Sequence, residues 1–104
     1  MAIIVVATVF PLPEYREEAI AAFESAEEKV HTEEDGCELY ALHEGRDGRL
    51  VMIEKYASDE AMAVHRAGAG LAGLREGLNG KLSAPMDVQV LTPRPAGSPV
   101  KGAL

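Results

Sequence analysis

The chain has no tryptophan and only three tyrosines and two phenylalanines in 104 residues. That is too few aromatics, on too acidic a chain, for a base-stacking platform. Positive charge is also short, with 10 Lys+Arg against 17 Asp+Glu and a formal charge of −7. A surface of that sign repels phosphate, so neither nucleic acid nor an anionic membrane is an expected partner. The single cysteine, Cys37, excludes an internal disulfide framework and is compatible with a reducing compartment. No apolar run approaches the roughly 18 residues of a membrane span, and no cationic start leads into an apolar segment with a cleavage site. The expectation is a soluble, cytoplasmic protein. A Gly-x-Ser-x-Gly elbow is missing, and His31, His43 and His65 have no ligand-like spacing, so neither a serine nucleophile nor a metal centre is expected.

What is present reads as one domain of ordinary globular composition, 47% hydrophobic and 26% charged. Residues Ala2 to Phe10 are apolar almost throughout and rich in β-branched types, as in a strand buried on both faces. Pro11 and Pro13 stop it. From Glu14 to about His31, the residues Ala19, Ile20, Phe23, Ala26 and Val30 recur at helical spacing while the glutamates fall mainly elsewhere, which predicts an amphipathic helix. Asp35-Gly36 breaks that helix. Cys37 to Glu44 then alternates as a strand, Gly45 to Gly48 has hairpin turn chemistry, and Arg49 to Tyr56 returns. Ser58 is a plausible N-cap, with Asp59 and Glu60 at the positive end of a second helix. That helix meets Gly68, Gly70 and Gly73, each costing about 1 kcal/mol relative to alanine, and should be broken or mobile there. Pro85 to Thr92 is a last strand. The domain spans residues 1–93, and 94–104 form a C-terminal tail of loose composition.

The order βαββαβ predicts an α+β, ferredoxin-like antiparallel sheet with both helices on one face. The other face would then lie bare, although the first strand is apolar on both sides. A bare apolar sheet marks a partner surface, and a homodimer packing sheet to sheet is expected.

Gly68-Ala69-Gly70-Leu71-Ala72-Gly73 satisfies a dinucleotide-binding pattern literally, but it follows a helix rather than a strand and no acidic residue lies about 20 positions on. Small residues that allow backbone or ligand to approach closely are the better reading. Among the histidines, His31 fits the end of an acidic helix. His43 shares its strand phase with Cys37, Leu39 and Ala41 and is either a structural or a site residue. His65 lies on or beside the apolar stripe of the second helix, its ring directed toward the sheet. Glu54 sits among apolar neighbours on the third strand, where it needs a partner or a raised pKa. His65 is the most available partner. Such a pair either pins helix to sheet or performs acid and base work.

The segments Glu34-Asp35-Gly36-Cys37-Glu38-Leu39-Tyr40 and Leu50-Val51-Met52-Ile53-Glu54-Lys55-Tyr56, followed by Ala57-Ser58-Asp59-Glu60-Ala61 and His65, resemble the antibiotic biosynthesis monooxygenase domain family. The family consists of small dimeric α+β barrels that include quinol monooxygenases. The resemblance covers most of residues 2–93. It implies a homodimer, a pocket between helices and sheet, and oxygenation of a phenolic or quinol-type aromatic by dioxygen without flavin, haem or metal. On that reading His65 is the catalytic base backed by Glu54, and Tyr56, Tyr40 and His43 are substrate-binding candidates. The chain departs from the family pattern at Gly70, where many relatives carry a second histidine, and at Tyr56, where many carry tryptophan. A proton-transfer isomerase of a small carbonyl compound and a non-enzymatic ligand-binding or assembly module are the alternatives.

Overall fold

In the computed structural model, which describes residues 2–104, the chain runs β1 (Ile3–Val9), a single 3-10 turn (Pro13–Tyr15), α1 (Arg16–Glu33), β2 (Cys37–Glu44), β3 (Leu50–Tyr56), α2 (Asp59–Arg66), α3 (Ala69–Leu78) and β4 (Asp87–Leu91). The four strands form one antiparallel sheet in the order β2-β3-β1-β4, the ferredoxin-like arrangement. On β3 the residues Leu50, Met52, Glu54 and Tyr56 are buried beneath the helices, while Val51, Ile53 and Lys55 on the other face are partly exposed. Val5, Ala7 and Val9 of β1 join the buried face. From α1 the residues Ala19, Phe23, Ala26 and Val30, at steps of three and four, pack with Ala7, Val9, Leu50, Met52 and with Leu74 and Leu78 of α3 in the main core, while Val5 and Tyr56 pack with Met62 of α2 in a second cluster.

Proline ends β1 as expected. Pro13 opens the 3-10 turn, and Ser83 grips the carbonyl of Phe10, just past the strand, its N–H donating to it at 2.7 Å and its hydroxyl at 2.9 Å. In the hairpin between β2 and β3, Gly48 adopts φ +92°, a conformation that L side chains rarely take. Ser58 caps α2, its hydroxyl accepting from Ala61 N at 3.1 Å.

Two features differ from the sequence expectation. The second helix does break, at Ala67-Gly68, but Gly70, Gly73 and Gly77 then lie inside a regular helix, α3, rather than in a loosened segment. Tertiary packing outweighs their poor propensity, because a Cβ on Gly70 would stand 2.9 Å from Val30 Cγ2 and one on Gly77 would stand 2.9 Å from Ala22 Cβ. The glycines thus let α3 lie close against α1. The second difference is an irregularity in β2. The pairing with β3 shifts between Cys37 and Leu39, so Cys37 packs under the helices, whereas Leu39, Ala41 and His43 share the opposite face.

Beyond β4, residues 93–104 contain no helix or strand, and the carbonyl of Leu104 accepts a 2.8 Å hydrogen bond from Lys55 Nζ. Among the described residues no helix is long and apolar enough to cross a membrane.

Candidate active site

The polar groups beneath the helices converge on one imidazole. His65, in the last turn of α2, is 5% exposed. Its Nδ1 lies 2.8 Å from Glu34 Oε1, at the end of α1, and its Nε2 lies 3.7 Å from Glu54 Oε1, on β3. The first distance is a hydrogen bond; the second is longer than one. With Glu34 ionised, Nδ1 carries the proton and donates it to that carboxylate, which leaves the Nε2 lone pair free on the Glu54 side. Tyr40 and Tyr56 flank the ring, with centroids at 5.3 and 5.1 Å.

Two carboxyl groups therefore bracket the ring in different surroundings. Glu34 Oε2 rests against the start of α3, close enough that a Cβ on Gly68 would stand 3.0 Å away, and the positive end of the helix dipole favours negative charge there. Glu54 sits among apolar side chains of the sheet and accepts a 2.5 Å hydrogen bond from the Tyr56 hydroxyl. Burial raises its pKa to about 7, the Tyr56 hydrogen bond partly opposing that rise and the nearby Glu34 charge adding to it. Burial likewise pushes the Tyr40 and Tyr56 phenols above their ordinary range, with Glu54 adding to both. At neutral pH these phenols are donors and wall groups rather than bases.

His65, Glu54, Tyr40 and Tyr56 form the floor of a cavity of about 120 Å3 that is also lined by Ala7, Phe23, Met52, Met62, Leu71 and Leu74, with Glu34 behind the imidazole and outside the lining. Its mouth is made of exposed lining residues: Arg66 of α2, Arg75 of α3, and Val88 and Val90 of β4. All of β4 is exposed, since α2 and α3 leave that edge of the sheet uncovered.

His65, Glu54, Tyr56 and Tyr40, each singled out in the sequence, meet in this cavity. His43 does not. It is exposed on the far face of the sheet, its Nδ1 3.1 Å from the carbonyl of Ala41, because the shift in β2 inverts the phase that would have carried it inward. His31 is also outside, donating from Nε2 to Tyr40 O at 2.9 Å and so tying α1 to β2. The partner that sequence reasoning missed is Glu34. It stands four residues after Val30 and so continues the buried stripe of α1, an acid on the apolar side of its helix.

The sequence profile of the family described as antibiotic biosynthesis monooxygenase matches residues 2–75. The chain belongs to that family. It is 36% identical over 90 residues to Rv0793 of Mycobacterium tuberculosis, a protein provisionally named a monooxygenase, the match covering 86% of this chain and 88% of that one. The solved structure of Rv0793 superposes with a TM-score of 0.86 at 31% identity, over 94% of this chain and all of the other. A structure from Caulobacter crescentus, provisionally described as an antibiotic biosynthesis monooxygenase, superposes with a TM-score of 0.82 at 25% identity, over 86% and 87% of the two chains. Within this family member the Gly68–Gly73 pattern serves packing: Gly68 begins α3 beside Glu34, and Gly70 meets Val30.

Proposed function

We propose that this family member is a cofactor-independent monooxygenase of single-ring phenols or quinols, with His65 as the base that ionises the substrate hydroxyl. The observation that carries this reading is the buried imidazole whose Nδ1 is held by Glu34 at 2.8 Å while Nε2 remains available at the floor of an apolar cavity. Its volume of about 120 Å3 approaches the roughly 150 Å3 that accepts benzene, which favours one ring over a fused system.

Proton transfer from an ordinary phenol, near 10, to an ordinary imidazole, near 6.5, is uphill by about 5 kcal/mol in water. Glu34 offsets part of that by stabilising the imidazolium, and the burial of both groups strengthens the attraction. The resulting anion is electron-rich enough to reduce dioxygen itself. A carbon–oxygen bond forms, the oxygen–oxygen bond then breaks, and the second oxygen atom leaves as water. Hydroquinone plus O2 would give hydroxyquinone plus water, the substrate supplying all four electrons. Glu54, titrating near neutrality beside Nε2, is placed to hold a proton during the second half. That same property favours a second reading, a proton-transfer isomerase using Glu54 and His65.

Oxygen uptake by the purified protein with hydroquinones and no added cofactor tests the first reading. His65→Ala should reduce uptake by about 100-fold or more, the usual contribution of general base catalysis. Glu34→Gln should lower kcat more than it raises KM. Uptake no faster than in buffer, or unchanged in His65→Ala, overturns the monooxygenase; turnover of a carbonyl substrate under nitrogen supports the isomerase.

We also propose that the protein is a homodimer. On the uncovered face, Val6, Thr8, Val51 and Ile53 are partly exposed, with none of the three helices above them.

A further inference from the structure

The cavity is polar at both ends, and the two ends differ in sign. Its floor presents the carboxyl of Glu54 beside His65, with the Glu34 carboxyl hydrogen-bonded to the imidazole from outside the lining. At its mouth, Arg66 and Arg75 both line the opening and are exposed. This is an unusual place for positive charge on a chain of net charge −7. Five of the ten cations are matched, Arg16 with Glu44, Lys29 with Glu33, Arg49 with Asp47, Lys55 with Glu38 and Lys81 with Glu18, while Arg46, Arg94 and Lys101 have no such partner among the described residues and lie away from the cavity. Among the described residues neither Arg66 nor Arg75 has a carboxylate within ion-pairing distance, despite 17 acids in the sequence. Long arginine stems can shield an apolar rim, but what sets Arg66 and Arg75 apart from the other unpaired cations is that both line this one opening, from two different helices.

We infer that the site selects hydroxyaromatic acids: a single ring whose hydroxyl enters toward His65 and whose carboxylate stays at the mouth against Arg66 and Arg75. The charges enforce that direction. A carboxylate at the floor would face Glu54, with Glu34 a step behind His65, whereas at the mouth it meets two arginines, a residue type suited to bidentate carboxylate binding. The neutral apolar wall between them accepts the ring. The inference rests on reading this cavity as an aromatic site, and it adds the charge of the substrate and its orientation.

The test is binding under nitrogen, which separates recognition from oxygen chemistry. 2,5-Dihydroxybenzoate and 2,5-dihydroxybenzamide have nearly the same shape and differ in charge. Calorimetric titration should show the acid binding roughly tenfold tighter, the gain of a modest exposed ion pair from each arginine. The preference should shrink as salt is raised. In the Arg66→Gln/Arg75→Gln variant, with folding checked by circular dichroism, the acid-to-amide ratio should fall to about twofold or less. Arg46→Gln, an exposed arginine in the β2–β3 turn, should keep the wild-type ratio. Equal affinities in the wild type, a preference that survives the double substitution, or no binding of either probe at millimolar concentration overturns the inference. Acid-selective binding without oxygen uptake would sustain it and refute the monooxygenase. Oxidation of neutral quinols with no arginine-dependent preference would do the reverse.

Discussion

Replacing Glu54 by glutamine gives the sharpest measurement of how the interior treats the site. Glutamine keeps a carbonyl oxygen to accept the Tyr56 hydroxyl and cannot ionise. In the wild type the folded-state pKa is raised from 4.5 to about 7. A raised carboxyl contributes stability that is fully present below the unfolded value and is lost as pH climbs through the folded one, because ionisation is then easier in the unfolded chain. The difference, at about 1.36 kcal/mol per unit, amounts to roughly 3 kcal/mol between pH 4.5 and the region above pH 7. The side chain is buried with its residue 4% exposed, so solvent screening does not erode the figure appreciably. Denaturant unfolding of wild type and Glu54→Gln at one fixed protein concentration, from pH 4.5 to pH 8, isolates the effect. Groups far from Glu54 cancel in the difference between the two proteins. His65, at 3.7 Å, does not, so the midpoint belongs to the pair. The variant should gain on the wild type by roughly 3 kcal/mol as pH rises across this window, appearing as a melting shift on the order of 10 °C. A difference in stability independent of pH would refute the reasoning, and with it the view that Glu54 lies in a water-poor interior.

The glycines of α3 should divide by their surroundings. Gly70→Ala and Gly77→Ala each place a Cβ 2.9 Å from a side-chain atom of α1 and should destabilise, whereas Gly73→Ala meets nothing within 4 Å. Gly73→Ala should therefore stabilise by about 0.5 to 1 kcal/mol from helix propensity alone, and a loss of stability in urea unfolding would contradict the packing described. For the uncovered sheet face, light scattering at micromolar concentration should report about twice 11.1 kDa. A stable monomer would show that the apolar residues of that face tolerate water.

Most of the fold was legible because its signals are local. Cys37–Glu44 reads as a strand between two glycines and is one, and Ser58 caps the helix that its position announces. His65 and Glu54 could be picked out as polar groups on apolar faces. Glu34 was harder to distinguish because its importance comes from a contact 31 residues away, and an acid near a helix end ordinarily belongs to solvent. His43 illustrates a different limit. Alternation shows that Leu39, Ala41 and His43 share a face, but not which face the helices cover, and one irregular position near Glu38 reverses the phase. The regularity of α3 was hidden for a related reason: glycine's local cost is visible in sequence, while the neighbouring helix that requires it is not.

The absence of tryptophan has a practical consequence once Tyr40 and Tyr56 are seen on either side of the imidazole. Near-ultraviolet absorption and emission in this protein come from three phenols, and two of them have ring centroids within 5.3 Å of His65's. A guest ring entering the cavity, or loss of the proton from the acid that the Tyr56 hydroxyl touches, changes the surroundings of most of the chain's chromophores at once. The protein thus carries its own optical gauge of occupancy and protonation, readable without a label.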